Sequence, residues 1–236
     1  MRLFHWMEIH RPTVFVLTDG SGSNSASRTE YTRRTLQKTG AKAGSVFGQV
    51  SDRDWYSALI NRDPGLLTSA AEQIFRAVSG DAPSLIVTDP VEGYNPMHDL
   101  CAGVAAAVQT LFARRNERIE LGTYALIGGL KTGPHVERHH LDAAARRRKQ
   151  LAIDAYEPLS GEAATVLAQT PDALGEEAVV SGVSLQPWLN ELATPPEYEI
   201  TGRQRVRDGR YGNVIAYSEH IKPAFDDLGM FAEARR

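Results

Sequence analysis

The chain of 236 residues has a single cysteine, Cys101. That excludes an intramolecular disulfide framework and a structural zinc site built on several thiolates, and it fits a reducing, cytoplasmic setting. An excess of positive charge is also lacking: 26 Lys plus Arg stand against 29 Asp plus Glu, a net charge of −3. Nucleic acid is therefore not expected as a partner. No stretch approaches the roughly 20 consecutive apolar residues of a membrane span, so no integral membrane segment is expected. The opening MRLFHWMEIHRP is broken by Glu8, Arg11 and two histidines, which leaves no apolar run of the kind a secretory leader needs. Repeats and low-complexity tracts are absent, which argues against a solenoid. What is present, 42% hydrophobic and 23% charged residues, suits one compact domain over 1–236.

The pattern along the chain is that of an α/β protein. Leu3, Phe4, Met7 and Ile9 lie close to a helical stripe that Pro12 closes, and Thr13 to Leu17 reads as a buried strand. A Gly/Ser loop after Asp19 leads to a charged helix from about Ser27 to Lys38, and Gly44 to Phe47 suggests a short strand. Helical spacing over Leu66 to Val78 precedes an apolar strand at Ser84 to Thr88, a polar loop, and a very apolar helix from about Asp99 to Ala113. A strand at Thr123 to Ile127 and a charged helix from about Glu137 to Tyr156 complete an expected core of about 13–156. This alternation predicts a largely parallel sheet with helices on both faces. Over 157–236 the pattern weakens, with Pro171, Pro187, Pro195 and Pro196 marking loops in an irregular C-terminal part. A helix as first element is an unusual start for such a domain.

Ligands of open α/β sheets bind outside the carboxyl ends of strands, which directs attention to the loops after Leu17 and Thr88. The first offers Asp19; the second offers Asp89, Glu92, Asn95, His98 and Asp99. His98, at the mouth of an apolar helix among carboxylates, is a candidate metal ligand. The plainer reading makes Asn95 or Asp99 a helix cap, and one histidine alone is not a zinc site. Elsewhere, His135 and His139 would lie one turn apart on a helix, though Glu137 is not where a zincin motif needs it. The loop at Gly20 to Ser25 could cradle a phosphate. Arg146 to Gln150 reads as a solvated helix face. Trp6, Trp55 and Trp188 read as core or interface residues, with Trp55-Tyr56 in a loop that could meet a glycan. Cys101 reads as a small hydrophobe.

In order and spacing, several segments carry a resemblance: VFVLTDG (Val14 to Gly20), Arg28 in SRTEYTRRTLQKTGA, SLIVTDPVEGYNPMHD (Ser84 to Asp99), KQLAIDAY (Lys149 to Tyr156), and more faintly the tail from PPEYEITG to EHIKP. Together they resemble the PIG-L/LmbE family of zinc-dependent de-N-acetylases. The resemblance implies a Rossmann-like three-layer α/β fold with a mostly parallel sheet, and zinc-dependent hydrolysis of the N-acetyl group of an N-acetylglucosamine-type sugar or glycoconjugate. It makes His98 a zinc ligand and places Asp19 and Arg28 at the substrate-pocket rim; Glu92 is assigned to the same rim, and Asp99 to orienting His98, from their places in the loop. Asn95 stands where the family has a histidine; its amide can contact an oxyanion but cannot deliver a proton. The family's PHxDD-type motif, with two further ligands and the general base, is not found in the sequence. The expected fold is thus truncated at the first strand, and tight zinc binding by this chain is not expected. A start placed too late and a degenerate remnant both explain this, and the cost of removing a central strand favours the first. The alternative function is a non-catalytic glycan- or nucleotide-binding remnant of the same fold.

Overall fold

The computed structural model describes residues 2–22, 26–81, 83–126, 134–182 and 195–235. Helix α1 (Phe4–His10) ends at Arg11, whose left-handed backbone (φ 46°) returns its N–H to Met7 O, and Pro12 prevents continuation. Strand β1 (Thr13–Thr18) and helix α2 (Thr29–Thr39) lead to β2 (Lys42–Val50), which pairs parallel with β1. Helices α3 (Asp52–Ile60) and α4 (Gly65–Val78) precede β3 (Leu85–Thr88), and α5 (Pro96–Ala113) carries the chain to β4 (Glu120–Thr123), parallel to β3. Next come β5 (His135–His140), α6 (Ala143–Asp154), α7 (Ser160–Gln169) and β6 (Glu176–Ser181), then α8 (Glu197–Arg207) and α9 (Lys222–Ala234).

The architecture is α/β, with two sheets in place of the one expected. The first is β1-β2; the second has the order β3-β4-β6-β5, in which β6 runs antiparallel to both neighbours. Strands β1 and β3 each have one edge without a ladder partner among the described residues. Helix α5 is apolar nearly all round because it is buried on two sides. One side joins a core with Leu17, Val46, Trp55, Ile74 and Phe225, and the other packs Ala102 and Ala105 against Val91 and Leu121. No helix among the described residues is long and apolar enough to cross a membrane.

Several expectations need correction. The strand at 13–18 is half-buried, with only Leu17 fully inside. The strand expected at Thr123 to Ile127 forms earlier, at Glu120–Thr123, and Ile127 lies outside the described residues, as do Pro187 and Trp188. The helix expected from Glu137 is strand β5 followed by α6, which starts only after Asp142 caps it through Ala145 N–H at 2.7 Å. The part beyond Tyr156, expected to be irregular, holds regular elements: β6 joins β4 to β5, and Ile221, Phe225 and Leu228 enter the main core.

The charged run at 146–150 is not uniformly solvated either. Lys149 is 1% exposed and pairs at 2.9 Å with Glu177, itself 2% exposed. The Lys149 ammonium also donates to Ala173 O at 2.6 Å. Glu177 accepts from the N–H groups of His5 (3.0 Å) and Trp6 (2.8 Å), which are first-turn donors of α1 with no partner inside the helix. One buried carboxylate thus ties α1, β6 and α6 together.

Candidate functional site

The loop between β3 and α5 is built by its own polar side chains. Asn95 is the cap of α5: its side-chain oxygen accepts from Met97 N–H at 2.9 Å, and Pro96 fills the first helical position, where no N–H is needed. The Asp99 carboxylate folds back onto the loop, where Oδ1 accepts from Glu92 N–H (3.0 Å) and Gly93 N–H (3.2 Å). Gly93 permits this return because its φ is +70°, a region L side chains avoid. Burial pushes the Asp99 carboxyl up to about 7, against the pull of the Gly93 and Glu92 N–H groups.

Three side-chain atoms in and beside this loop are buried with no hydrogen-bond partner among the described residues: His98 Nδ1, Asp99 Oδ2 and the Tyr198 hydroxyl. Asp99 therefore does not orient His98 through Nδ1. Tyr198, on α8, is fastened to the loop by its N–H, which donates to Gly93 O at 3.1 Å. Its phenol is pushed to higher pKa by burial and then by the Asp99 charge, which places the two groups in each other's field. Deeper in, the Tyr124 hydroxyl donates to Asp89, and the Cys101 thiol is pushed up by burial and by the same Asp89. Glu92 accepts from Leu126 N–H at 3.4 Å, and the Arg2 guanidinium holds Leu126 O. Tyr198, Tyr124 and Arg2 were not singled out from the sequence; the PPEYE segment of the tail was the one available pointer, to Tyr198.

Asp19 and Arg28 gather at the end of β1. Arg28 N–H donates to Asp19 O at 2.7 Å, and the Arg28 side chain lies against Gly20. Asp19 Oδ1 accepts from Ser21 N–H (2.9 Å) and Asp52 N–H (3.1 Å), while Gly22 N–H donates to Asp52 at 2.6 Å. These donors are the ones a phosphate would need, and two carboxylates already occupy them. Over its described part the loop is therefore a poor phosphate cradle; Ser23, Asn24 and Ser25 lie outside the described residues. Trp55 and Tyr56 lie on α3, not in a loop; Trp55 is 2% exposed, and its indole N–H donates to Leu17 O at 2.9 Å. It is a core residue rather than a glycan platform.

A zinc ion needs three protein ligands within reach of one point. Among the described residues, the one set of three candidate ligand atoms close enough to share an ion is His10, Glu137 and His139; His98 belongs to no such set. His98 has an unpartnered nitrogen to offer, but the described residues around it do not by themselves fit zinc. His139 lies on β5 and not on a helix one turn from His135. No family model, no curated protein and no solved structure matches the chain.

Proposed function

We propose that this chain is a PIG-L/LmbE-like domain of Rossmann-like type whose β3–α5 loop receives an N-acetylated amino sugar or glycoconjugate. The observation that carries the reading is the group of unpartnered buried atoms, His98 Nδ1, Asp99 Oδ2 and the Tyr198 hydroxyl. Each such atom costs about 1–3 kcal/mol when left unpaired, so a fold that keeps three of them in and beside one loop favours a ligand that satisfies them. An imidazole, a carboxyl held near neutrality and a phenol match the hydroxyl and amide groups of an acetylated amino sugar. Asp19, Arg28 and Glu92 are assigned to the rim. With a single metal-ligand candidate at His98, the described residues of this loop serve sugar binding rather than hydrolysis.

Titration calorimetry with N-acetylglucosamine and with glucosamine tests this. Preferential binding of the acetylated sugar is expected, weakened about tenfold in His98→Ala and in Tyr198→Phe, the effect of losing one hydrogen bond of about 1.4 kcal/mol. Absence of saturable binding, or binding undiminished in both variants, would overturn the reading. Acetate release on adding zinc separates enzyme from binding module, and none is expected from this ligand set.

A further inference from the structure

A second group of polar side chains lies where α1 meets β5, the outermost strand of its sheet. Alternation along β5 places His135, Glu137 and His139 on one face. The Trp6 indole N–H donates to Glu137 Oε2 at 3.0 Å, and His10, the last residue of α1, brings its Nε2 within 2.6 Å of Glu137 Oε1. His139 Nε2 lies 2.7 Å from that same oxygen. Two imidazole nitrogens thus converge on one carboxylate oxygen, and the three ligand atoms all lie within 4.8 Å of one another.

We propose that His10, Glu137 and His139 form a binding site for one divalent transition-metal ion, zinc in the first place. The site is separate from His98 and does not rest on the sugar-binding reading. Ligand atoms held about 2.0–2.2 Å from a tetrahedral zinc lie about 3.3 Å apart, between the 2.6 and 2.7 Å contacts of the two imidazoles with Glu137 and the 4.8 Å span of the cluster, so the two imidazoles need draw back from the carboxylate only slightly to admit an ion. Two neutral imidazoles and one carboxylate are a borderline donor set that suits zinc, cobalt or nickel and not the all-oxygen preference of magnesium or calcium. The carboxylate is held in place from behind: Trp6 fixes its other oxygen, and the His10 ring lies on the indole at a centroid distance of 4.4 Å. Side-chain exposures of 38% for His10, 37% for Glu137 and 22% for His139 leave one side of the cluster open to water, which would complete the coordination. Neighbouring ligand types are already engaged: His5 Nδ1 bonds Glu8 at 3.0 Å, and His140 faces Glu176 at 3.4 Å on the other side of β5.

Titration of the full chain with zinc chloride, followed by calorimetry, and with cobalt(II), followed by visible absorption, tests the assignment. One equivalent is expected, with the cobalt band of a four- or five-coordinate nitrogen/oxygen site. His10→Ala and His139→Ala should each lower affinity by more than the about 10–100-fold typical of losing an outer hydrogen-bond partner, Trp6→Phe should lower it by about tenfold, and His98→Ala should leave it unchanged. His10 is exposed at a helix end, so His10→Ala keeps the test valid if His139→Ala fails to fold, and metal-free melting of each variant checks this. The proposal is overturned if the wild-type chain shows no saturable binding, or if binding survives His10→Ala and His139→Ala. Loss of binding in His98→Ala would overturn it too, by assigning the ion to the β3–α5 loop.

Discussion

Asp19 shows how a single carboxylate can organise a loop and report on pH. Burial pushes its pKa up, but the Ser21 hydroxyl and the N–H groups of Ser21 and Asp52 outweigh burial and hold it below its ordinary 3.8. A carboxyl lowered in the folded chain stays ionised when the unfolded chain has already taken up a proton. Its contribution is therefore full above pH 3.8 and is lost as pH falls through the lower, folded value. Asp19→Asn keeps one acceptor oxygen and removes the charge. It is expected to cost about 1 kcal/mol near neutrality, less whatever solvent screens at this half-exposed site, and almost nothing under strongly acidic conditions. Urea unfolding of both proteins across that range checks this, and a cost that does not change with pH would show that the Asp19 charge is not what matters.

Among the elements, α1 owes its place to a buried ion pair. Glu177 supplies acceptors to the first turn of α1 while balancing the Lys149 ammonium, which burial pushes down and Glu177 holds up. Lys149→Met leaves a buried carboxylate uncompensated, and Glu177→Gln leaves a buried ammonium, each expected to cost about 3–5 kcal/mol. The double variant carries neither charge and keeps an oxygen for α1, so it should be less damaged than the two losses added together. Additive losses in chemical denaturation would show that the pair is not coupled.

This pair also marks where sequence reading ends. Lys149 sits in a run with Arg146, Arg147 and Arg148, and nothing local distinguishes the one that is buried; the carboxylate that decides it is far along the chain. The same holds for β5, where HVERHH has one apolar residue and reads as charged helix, yet forms a strand because β6 offers it a ladder and α1 covers one face. The strand expected at 123–127 followed the aromatic and apolar run there, whereas β4 forms earlier because Gly122 allows close approach to Leu85 and Val179. By contrast, β3 and α5 were readable to within a few residues, since compact apolar runs bounded by turn formers depend little on distant partners. So was the polar loop between them. The His10, Glu137 and His139 cluster was not, because His10 meets the other two only through the docking of α1.

For the molecule as a whole, the question is whether two sheets make one cooperative unit. The physical link is α5, buried on both sides, together with α4 and α9, which pack on it. Contact between α5 and α9 is close: a Cβ on Gly103 would run into the Phe225 ring. Gly103→Ala is therefore expected to cost about 1–3 kcal/mol by forcing α9 away, and Phe225→Leu should relieve part of that cost, an interaction a double-mutant cycle measures. Because α5 also carries the first sheet's core and the packing against β4, the loss should lower the stability of both sheets together. Two tryptophans report on them separately, Trp55 on α3 against β1 and Trp6 on α1 against β5. In chains that keep one of these and replace the other and Trp188 by phenylalanine, the two fluorescence transitions are expected to coincide, and to shift equally when Gly103→Ala is added. Separate midpoints, or a Gly103→Ala shift seen by Trp55 alone, would mean that the second sheet with α1 unfolds as its own unit and that α5 does not couple the halves.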